Sequence, residues 1–448
     1  MSTVGIIAEY NPLHNGHVHH FREAKRLSGA SRSIVVMSGP FTQRGEPAAV
    51  SKRARTEMAL LMGADLVIEL PVAYAVQPAE WFAFGAVALL EATGVVDSLC
   101  FGSESGSPSQ LLPLARFLAE ESGPLQGEIR RRLALGEGFP AAYSAAAALA
   151  WRDRLEEGGP DGVVAGAEGP AEGPADRTAG PADMSGAGAG SASPMNGSGL
   201  EDLLRGPNNS LGLHYLIALR RLGSGIVPLT VPRLGAGFHE PLRSGTSIAS
   251  ATALRGLLRE GGSLEGYMPE DSLSILRHEQ EEGRGPLDWE SFRSPLLHLL
   301  STRSAAELGG LLDVGEGLEN RLLRIVPELE RFTVDGLLSA LKSKRYTRTR
   351  LQRMLLHILL NHGKEEFSPG ALSKGPGYIR VLGFRESGRI LLKKMKQSAS
   401  LPVIIRPALS SHPQLTRDLQ ASAAYAAAFA SPLRSDLYSD YLKPPVMV

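Results

Sequence analysis

Val4-Gly5-Ile6-Ile7-Ala8-Glu9-Tyr10-Asn11-Pro12-Leu13-His14-Asn15-Gly16-His17 is the stretch around which the rest of the chain is organised. Residues 4–8 are a short apolar run, suited to a strand buried in a parallel sheet. Asn11-Pro12 breaks the run, because proline lacks a backbone donor and restricts the residue before it. His14-Asn15-Gly16-His17 then opens a helix expected over 18–27. Two imidazoles and a glycine therefore stand where a strand hands over to a helix N-terminus. Free backbone N–H groups and the positive end of the helix dipole favour a phosphate there. Gly16 allows close backbone approach, and the histidines can donate to phosphoryl oxygens as charge shifts during transfer. With 11 histidines and 50 glycines in 448 residues, chance supplies roughly 0.03 copies of this pattern. The alternative is a helix start that carries two histidines by accident.

The length suggests two or three domains. At 43% hydrophobic and 21% charged residues, the chain can form a globular core. The formal net charge is +0, so any nucleic-acid surface must be a local patch. The one cysteine, Cys100, excludes an internal disulfide and a multi-cysteine zinc site, and reads as a small buried residue at a strand end. The chain enters its first strand without a basic and apolar leader, and no apolar run reaches membrane-spanning length. The sequence reads as soluble and cytoplasmic, with no dedicated metal cage.

Further strands are expected over 33–39, 64–71, 98–104 and 225–231, with helices over 51–62, 81–92, 111–135, 141–155 and 205–222. This alternation argues a parallel, doubly wound sheet. In such sheets the ligand lies beyond the carboxyl ends of the strands. The histidine loop, Gln43-Arg44-Gly45 and Gly102-Ser103-Glu104 all fall on that edge. Lys52, Arg53 and Arg55 stand in the first turns of their helix, where cations oppose the dipole; they either face solvent or face an anion. Asn209 or Ser210 suits a helix cap. Ser250 and Thr252, with Arg255 one turn on, suit a polyphosphate or an ordinary capped helix.

Residues 158–199 are rich in Gly, Ala, Pro and Ser and hold no aromatic residue, so the sequence predicts a disordered insertion. From 272 onward the pattern is helical. Within it, residues 342–353 carry six cations in twelve positions: Lys342, Lys344, Arg345, Arg348, Arg350 and Arg353. That patch suits a phosphate backbone, with Tyr346 as an expected stacking face. A short element follows at 378–384 and a short strand at 402–405, with a helix over 388–395 between them. The domains read as 1–157, the insertion 158–199, 200–270, and a mainly helical 271–448.

The strand, the His14-Asn15-Gly16-His17 loop and the late Ser250–Arg255 segment resemble the HxGH nucleotidylyltransferase superfamily. Glu9-Tyr10-Asn11-Pro12, Phe41-Thr42-Gln43-Arg44-Gly45-Glu46-Pro47, 63–71, Phe101-Gly102-Ser103-Glu104, Gly206-Pro207-Asn208-Asn209, 345–350 and 378–383 more narrowly resemble the bacterial tRNA(Met) cytidine acetate ligases. The resemblance spans the chain except 158–199. Leu13, where phenylalanine is expected, is the other departure. It implies an α/β fold: a Rossmann-like doubly wound parallel sheet followed by a mainly α-helical C-terminal domain. It also implies a ligase that uses ATP to activate acetate as acetyl-adenylate. The acetyl group then passes to N4 of the wobble cytidine of elongator tRNA(Met).

By that resemblance His14 and His17 are catalytic. Ile7, Ala8, Glu9, Tyr10, Asn11, Pro12, Leu13, His14, Asn15, Gly16, His17, Val18, His19 and His20 bind ATP, with Gly102, Asn208 and Arg233. The residues themselves add Asn209, Ser250, Thr252 and Arg255 around adenine or phosphates. Mg2+ is expected with the nucleotide as counter-charge. Lys344, Arg345, Arg348, Arg350 and Arg353 are the expected tRNA contacts. Two other readings compete. A small-molecule adenylyltransferase shares the histidines but leaves the basic helical half unexplained. A catalytically inactive nucleotide- or RNA-binding protein would not need both histidines.

Overall fold

The computed structural model describes residues 2–104, 108, 111–120, 123–156, 206–233 and 247–448. The insertion expected at 158–199 lies outside them. The strands are β1 (Thr3–Ala8), β2 (Arg32–Ser38), β3 (Leu66–Leu70), β4 (Ser98–Ser103), β5 (Val227–Pro232), β6 (Ile379–Phe384), β7 (Val403–Ile404) and β8 (Val446–Met447). They form one sheet in the order β5-β4-β1-β2-β3-β6-β7, with β8 also on β6. The five strands from β5 to β3 run parallel, as expected. Their order reverses direction between β1 and β4, which opens a crevice at the carboxyl ends of those two strands.

Both faces of the sheet are covered, which explains the continuous apolar runs. Side chains alternate across a strand. Val35 and Met37 of β2 accordingly join one core with Phe21, Ala54, Met58, Leu254 and Leu276. Ile34 and Val36 join the opposite core with Leu89, Leu90, Leu216 and Leu391. A third core holds the C-terminal helices, with Leu296, Leu337, Leu351 and Leu355 packed against Phe41, Val72 and Val76. Those last three residues follow β2 and β3, so the helical half rests on loops at the same carboxyl edge.

Two elements differ from the sequence expectation. The helix expected over 111–135 is two helices, Leu112–Ala119 and Gly123–Ala134, because Pro124 lacks the N–H that would bond the carbonyl four residues earlier and is tolerated only in a first turn. The sheet also takes β6, β7 and β8 from the mainly helical stretch, β7 being the short strand expected at 402–405. β6 lies antiparallel to β3, pairing Glu69 with Arg380 and Leu66 with Phe384. Its residues 379–382 are buried, which offsets the short length.

Lys52 and Arg55 of helix Lys52–Met62 serve the interior rather than a ligand anion, while Arg53 is exposed. Arg55 is fully buried and donates to Glu9 O at 2.8 Å, Ser38 O at 3.0 Å and Val50 O at 3.2 Å, and to Gly39 O. It thereby ties the ends of β1 and β2 together. Burial lowers its guanidinium to about 10. Lys52 pairs with Glu69 at 2.7 Å and Asp440 at 2.8 Å, and Arg53 donates to Pro444 O at 2.8 Å. Cys100 is fully buried in β4. No helix among the described residues is long and apolar enough to cross a membrane.

Candidate active site

His14 is the N-cap of helix Asn15–Ser28, so the helix begins inside the motif rather than after it. The His14 Nδ1 accepts from Gly16 N at 3.1 Å, and the His17 Nδ1 accepts from His14 N at 3.2 Å. A neutral imidazole whose Nδ1 accepts must carry its proton on Nε2. Both rings thus hold a donating Nε2–H, with centroids 3.9 Å apart. Burial, with Arg233 and Arg255 nearby, pushes His14 down to about 4. Burial and the neighbouring His14, His20 and Arg233 hold His17 well below the usual range. Burial, with His19 and Arg233, brings His20 to about 4. The pair is therefore uncharged at neutral pH and offers fixed dipoles, not a mobile proton.

The rest of the 7–20 segment builds this geometry. Ile7 and Ala8 close β1, and Leu13 is fully buried in the core that Val18 packs against. Tyr10 is buried at a positive φ of 48° and places its ring edge on His17, with centroids 5.1 Å apart. Asn11 Oδ1 accepts from Ala49 N at 2.7 Å, and Pro12 is buried beside it. Asn15 Nδ2 donates to Ser247 O and Gly266 O, both at 2.9 Å, which fastens the loop to its neighbours. Glu9 Oε1 accepts from Gln43 N at 2.7 Å, and burial raises its pKa against the pull of that N–H, Arg255 and Arg44.

The late segment closes over the same loop. Ser250 caps helix Ala251–Arg259 by accepting from Ala253 N at 3.2 Å, so its hydroxyl serves the helix. Arg255 donates to Asn11 O and Glu46 Oε2, both at 2.9 Å, and to Thr252 Oγ1 at 3.4 Å. Across the crevice, Arg233 N donates to Ser103 O at 3.2 Å. The Arg233 side chain lies over Gly102, where an added Cβ would stand 3.8 Å from its Cγ. Helix Pro207–Arg221 has Gly206 at its N-cap position, so neither Asn209 nor Ser210 caps it as the sequence suggests. Glu104 does, accepting from Asn208 N at 3.1 Å and Asn209 N at 2.7 Å. Asn209 Oδ1 instead accepts from Ser103 Oγ at 2.7 Å and Glu104 N at 3.0 Å.

The sequence alone assigns no role to Glu46 or Glu104. Their signal is position, since each directly follows a buried strand or its tight loop on the ligand edge. Glu46 joins the two halves: its Oε2 takes Arg255, and its Oε1 takes Gln352 Nε2 at 3.3 Å. Trp289 Nε1 donates to Gly45 O at 2.9 Å in the same loop. Gly45 sits at φ +74°, and a Cβ there would lie 2.4 Å from Arg353 N.

The chain matches the family model described as HIGH Nucleotidyl Transferase over residues 1–439. The tRNA(Met) cytidine acetate ligase of Caldanaerobacter subterraneus subsp. tengcongensis is 37% identical over 436 residues, covering 96% of each chain. That of Thermoanaerobacter sp. strain X514 is 36% identical over 451 residues, covering 99% of each. This chain belongs to the tRNA(Met) cytidine acetate ligase family. The family likeness extends to solved structures. Thermotoga maritima TmcAL crystallised with alpha-thio ATP superposes with a TM-score of 0.82 at 32% identity, and its apo form with 0.84, each over 100% of both chains.

The basic segment of this family member is less open than its sequence suggests. Lys344 is exposed. Arg345 and Arg350 pair with Glu316 at 2.9 and 3.4 Å, and Arg348 pairs with Asp335. Arg353 is largely buried, with Asp313 as a neighbouring opposite charge. Tyr346 is 7% exposed, its hydroxyl donates to Glu316 at 3.0 Å, and the Arg350 guanidinium stands 4.9 Å over its ring. The expected stacking face is therefore already covered.

Proposed function

We propose that this chain activates acetate with ATP and transfers the acetyl group to N4 of the wobble cytidine of elongator tRNA(Met). The observation that carries the reading is the pair of buried, neutral histidines whose Nε2–H groups sit at a helix N-terminus beside Arg233 and Arg255. A carboxylate is a poor acyl donor, so it must first gain a leaving group. An acetate oxygen attacks the α-phosphorus, the bond to the β-phosphate oxygen breaks, and pyrophosphate leaves. His14 and His17 donate to the phosphoryl oxygens as charge spreads over them. The cytidine amine then attacks the acyl carbon, AMP leaves with the bonding electrons, and the amine loses a proton. Close positioning compensates for the weak nucleophile.

The nucleotide reads as lying from the histidine loop toward Gly102, Asn208 and Arg233. Arg255 and Glu46 set the loop, and Ser250 and Thr252 order the helix that carries Arg255. Among the described residues no three His, Cys, Asp or Glu side chains gather as a metal cage. Mg2+ would therefore be held chiefly by the nucleotide phosphates. Lys344, Arg345, Arg348 and Arg350 are the proposed tRNA contacts; phosphates would compete there with Glu316 and Asp335, giving a steep salt dependence. The enzyme would act in the cytoplasm, with ATP and tRNA.

The deciding experiment measures pyrophosphate release from ATP with and without acetate, with unmodified elongator tRNA(Met), followed by nucleoside mass analysis of the tRNA. Acetate-dependent release with acetylated cytidine is the expected result. Release with acetate but no modified tRNA would move the acceptor. No acetate dependence would overturn the ligase reading in favour of small-molecule adenylyl transfer.

A further inference from the structure

We propose that Glu104 is a positioning residue that fixes the amide of Asn208 for adenine and so makes the site selective for ATP over GTP. This rests on Asn208 lining the nucleotide site. Glu104 follows β4 directly, and its carboxylate fills the N-terminus of helix Pro207–Arg221. Oε1 accepts from Asn208 N at 3.1 Å and from Asn208 Nδ2 at 2.5 Å, while Oε2 accepts from Asn209 N at 2.7 Å. Glu104 N in turn donates to Asn209 Oδ1 at 3.0 Å. Gly206 permits the approach, since a Cβ there would lie 2.8 Å from Oε2.

Two consequences follow. A carboxylate at this helix N-terminus repels phosphate, so the polyphosphate belongs at the other helix N-terminus, beside His14, His17 and Arg255. Asn208 then meets the uncharged end of the nucleotide. The Asn208 amide also has only one orientation available. One Nδ2–H is held by Glu104, which leaves the second Nδ2–H and Oδ1 as an adjacent donor and acceptor. Adenine offers the complement, N7 as acceptor and the N6 amine as donor. Guanine offers two acceptors, N7 and O6, and would place O6 against Oδ1. Turning the amide over would set Oδ1 against the Glu104 carboxylate, so the site cannot adapt.

The test is direct calorimetric binding of ATP and of GTP to the full chain, without acetate or tRNA, for the wild type, Glu104→Gln and Asn208→Ala. The wild type should prefer ATP by about tenfold to a hundredfold. Glu104→Gln frees the amide to turn, so the preference should shrink to about threefold or less, with ATP binding weakened and GTP binding not. Equal loss for both nucleotides would show a plain helix cap and overturn the proposal. So would a wild type with no preference. Should Glu104→Gln fail to fold, Asn208→Ala decides alone: a retained preference overturns the proposal, and its loss supports it. Selective binding without acetate-dependent pyrophosphate release would remove the ligase reading and leave this one standing.

Discussion

His14 lends its backbone N–H to the ring of His17 at 3.2 Å, so the residue that caps the helix also sets the tautomer of the residue one turn on. The His14 ring is set in turn by Gly16 N. The two donors of the site are thus one unit. His14→Ala and His17→Ala should each lower kcat for pyrophosphate release by about 10²–10³, the effect of losing a fixed transition-state donor. The double variant should lose much less than the product of the two, because groups that act as a unit are not additive. Fully multiplicative losses in steady-state kinetics would refute a shared arrangement.

The pH response follows from the lowered histidines. His14 and His20 titrate at about 4 in the folded chain against an ordinary value of 6.5. Between those values the unfolded chain binds more protons than the folded one at these histidines, so their contribution to stability is complete above about pH 6.5 and falls as the pH drops toward 4, while the buried Asp418, raised to about 8, works in the opposite sense. The buried His357, lowered to about 3, adds to the histidine slope. Urea midpoints should decline steadily over that window. The kcat profile should show no histidine-like inflection near 6.5, and one there would mean that His14 or His17 works as a proton carrier.

Arg55 should be worth more to stability than any surface charge. It donates to four backbone carbonyls at once, and it is fully buried. Arg55→Met leaves them unsatisfied, at about 1–3 kcal/mol for each buried group that water cannot reach. Urea unfolding should show a loss of several kcal/mol, and ATP binding should weaken with it, because the ends of β1 and β2 are free to part. A loss below about 1 kcal/mol would contradict the clamp.

Gly45→Ala is a sharper probe of the contact between the halves. A Cβ at φ +74° would stand 2.4 Å from Arg353 N, so overpacking of about 1–3 kcal/mol adds to the backbone cost. Acetyl transfer to tRNA should fall more than acetate-dependent pyrophosphate release without tRNA. Equal losses would mean that the loop serves the nucleotide alone.

Glu46→Gln should act on substrate rather than on stability. Its ion pair with Arg255 is partly exposed, at 20% and 28%, so unfolding should change by less than about 1 kcal/mol. The KM for ATP should rise severalfold, since Arg255 loses the charge that aims it at the histidine loop.

Most of the sheet was legible because its strands are buried on both faces and its loops end in Pro or Gly. Val4 to Ala8 and Ile34 to Met37 announce themselves by unbroken apolar residues. The histidine motif was legible because strand, proline and helix follow in order. What escaped the sequence depends on contacts distant along the chain. Arg55 and Lys52 look like surface cations until the carbonyls and carboxylates around them are seen. Tyr346 looks like a base platform until Glu316 and Arg350 are placed on it. Glu104 caps a helix that begins more than a hundred residues later, and no local pattern encodes that. β6 pairs with a strand over 300 residues earlier, which only the third dimension reveals.

The antiparallel ladder between β3 and β6 has a mechanical meaning. Glu69 to Arg380 and Leu66 to Phe384 are rungs of the same sheet that carries the histidine loop. The helices that would grip an RNA are therefore bolted to the catalytic sheet rather than hung from a hinge. On the proposed tRNA contacts, the span from the basic helix to the histidine loop would act as a gauge, and an RNA would have to bring its reactive base to it by its own shape. An anticodon arm one base pair longer or shorter, gripped by its stem, should bind and yet present the wrong nucleotide.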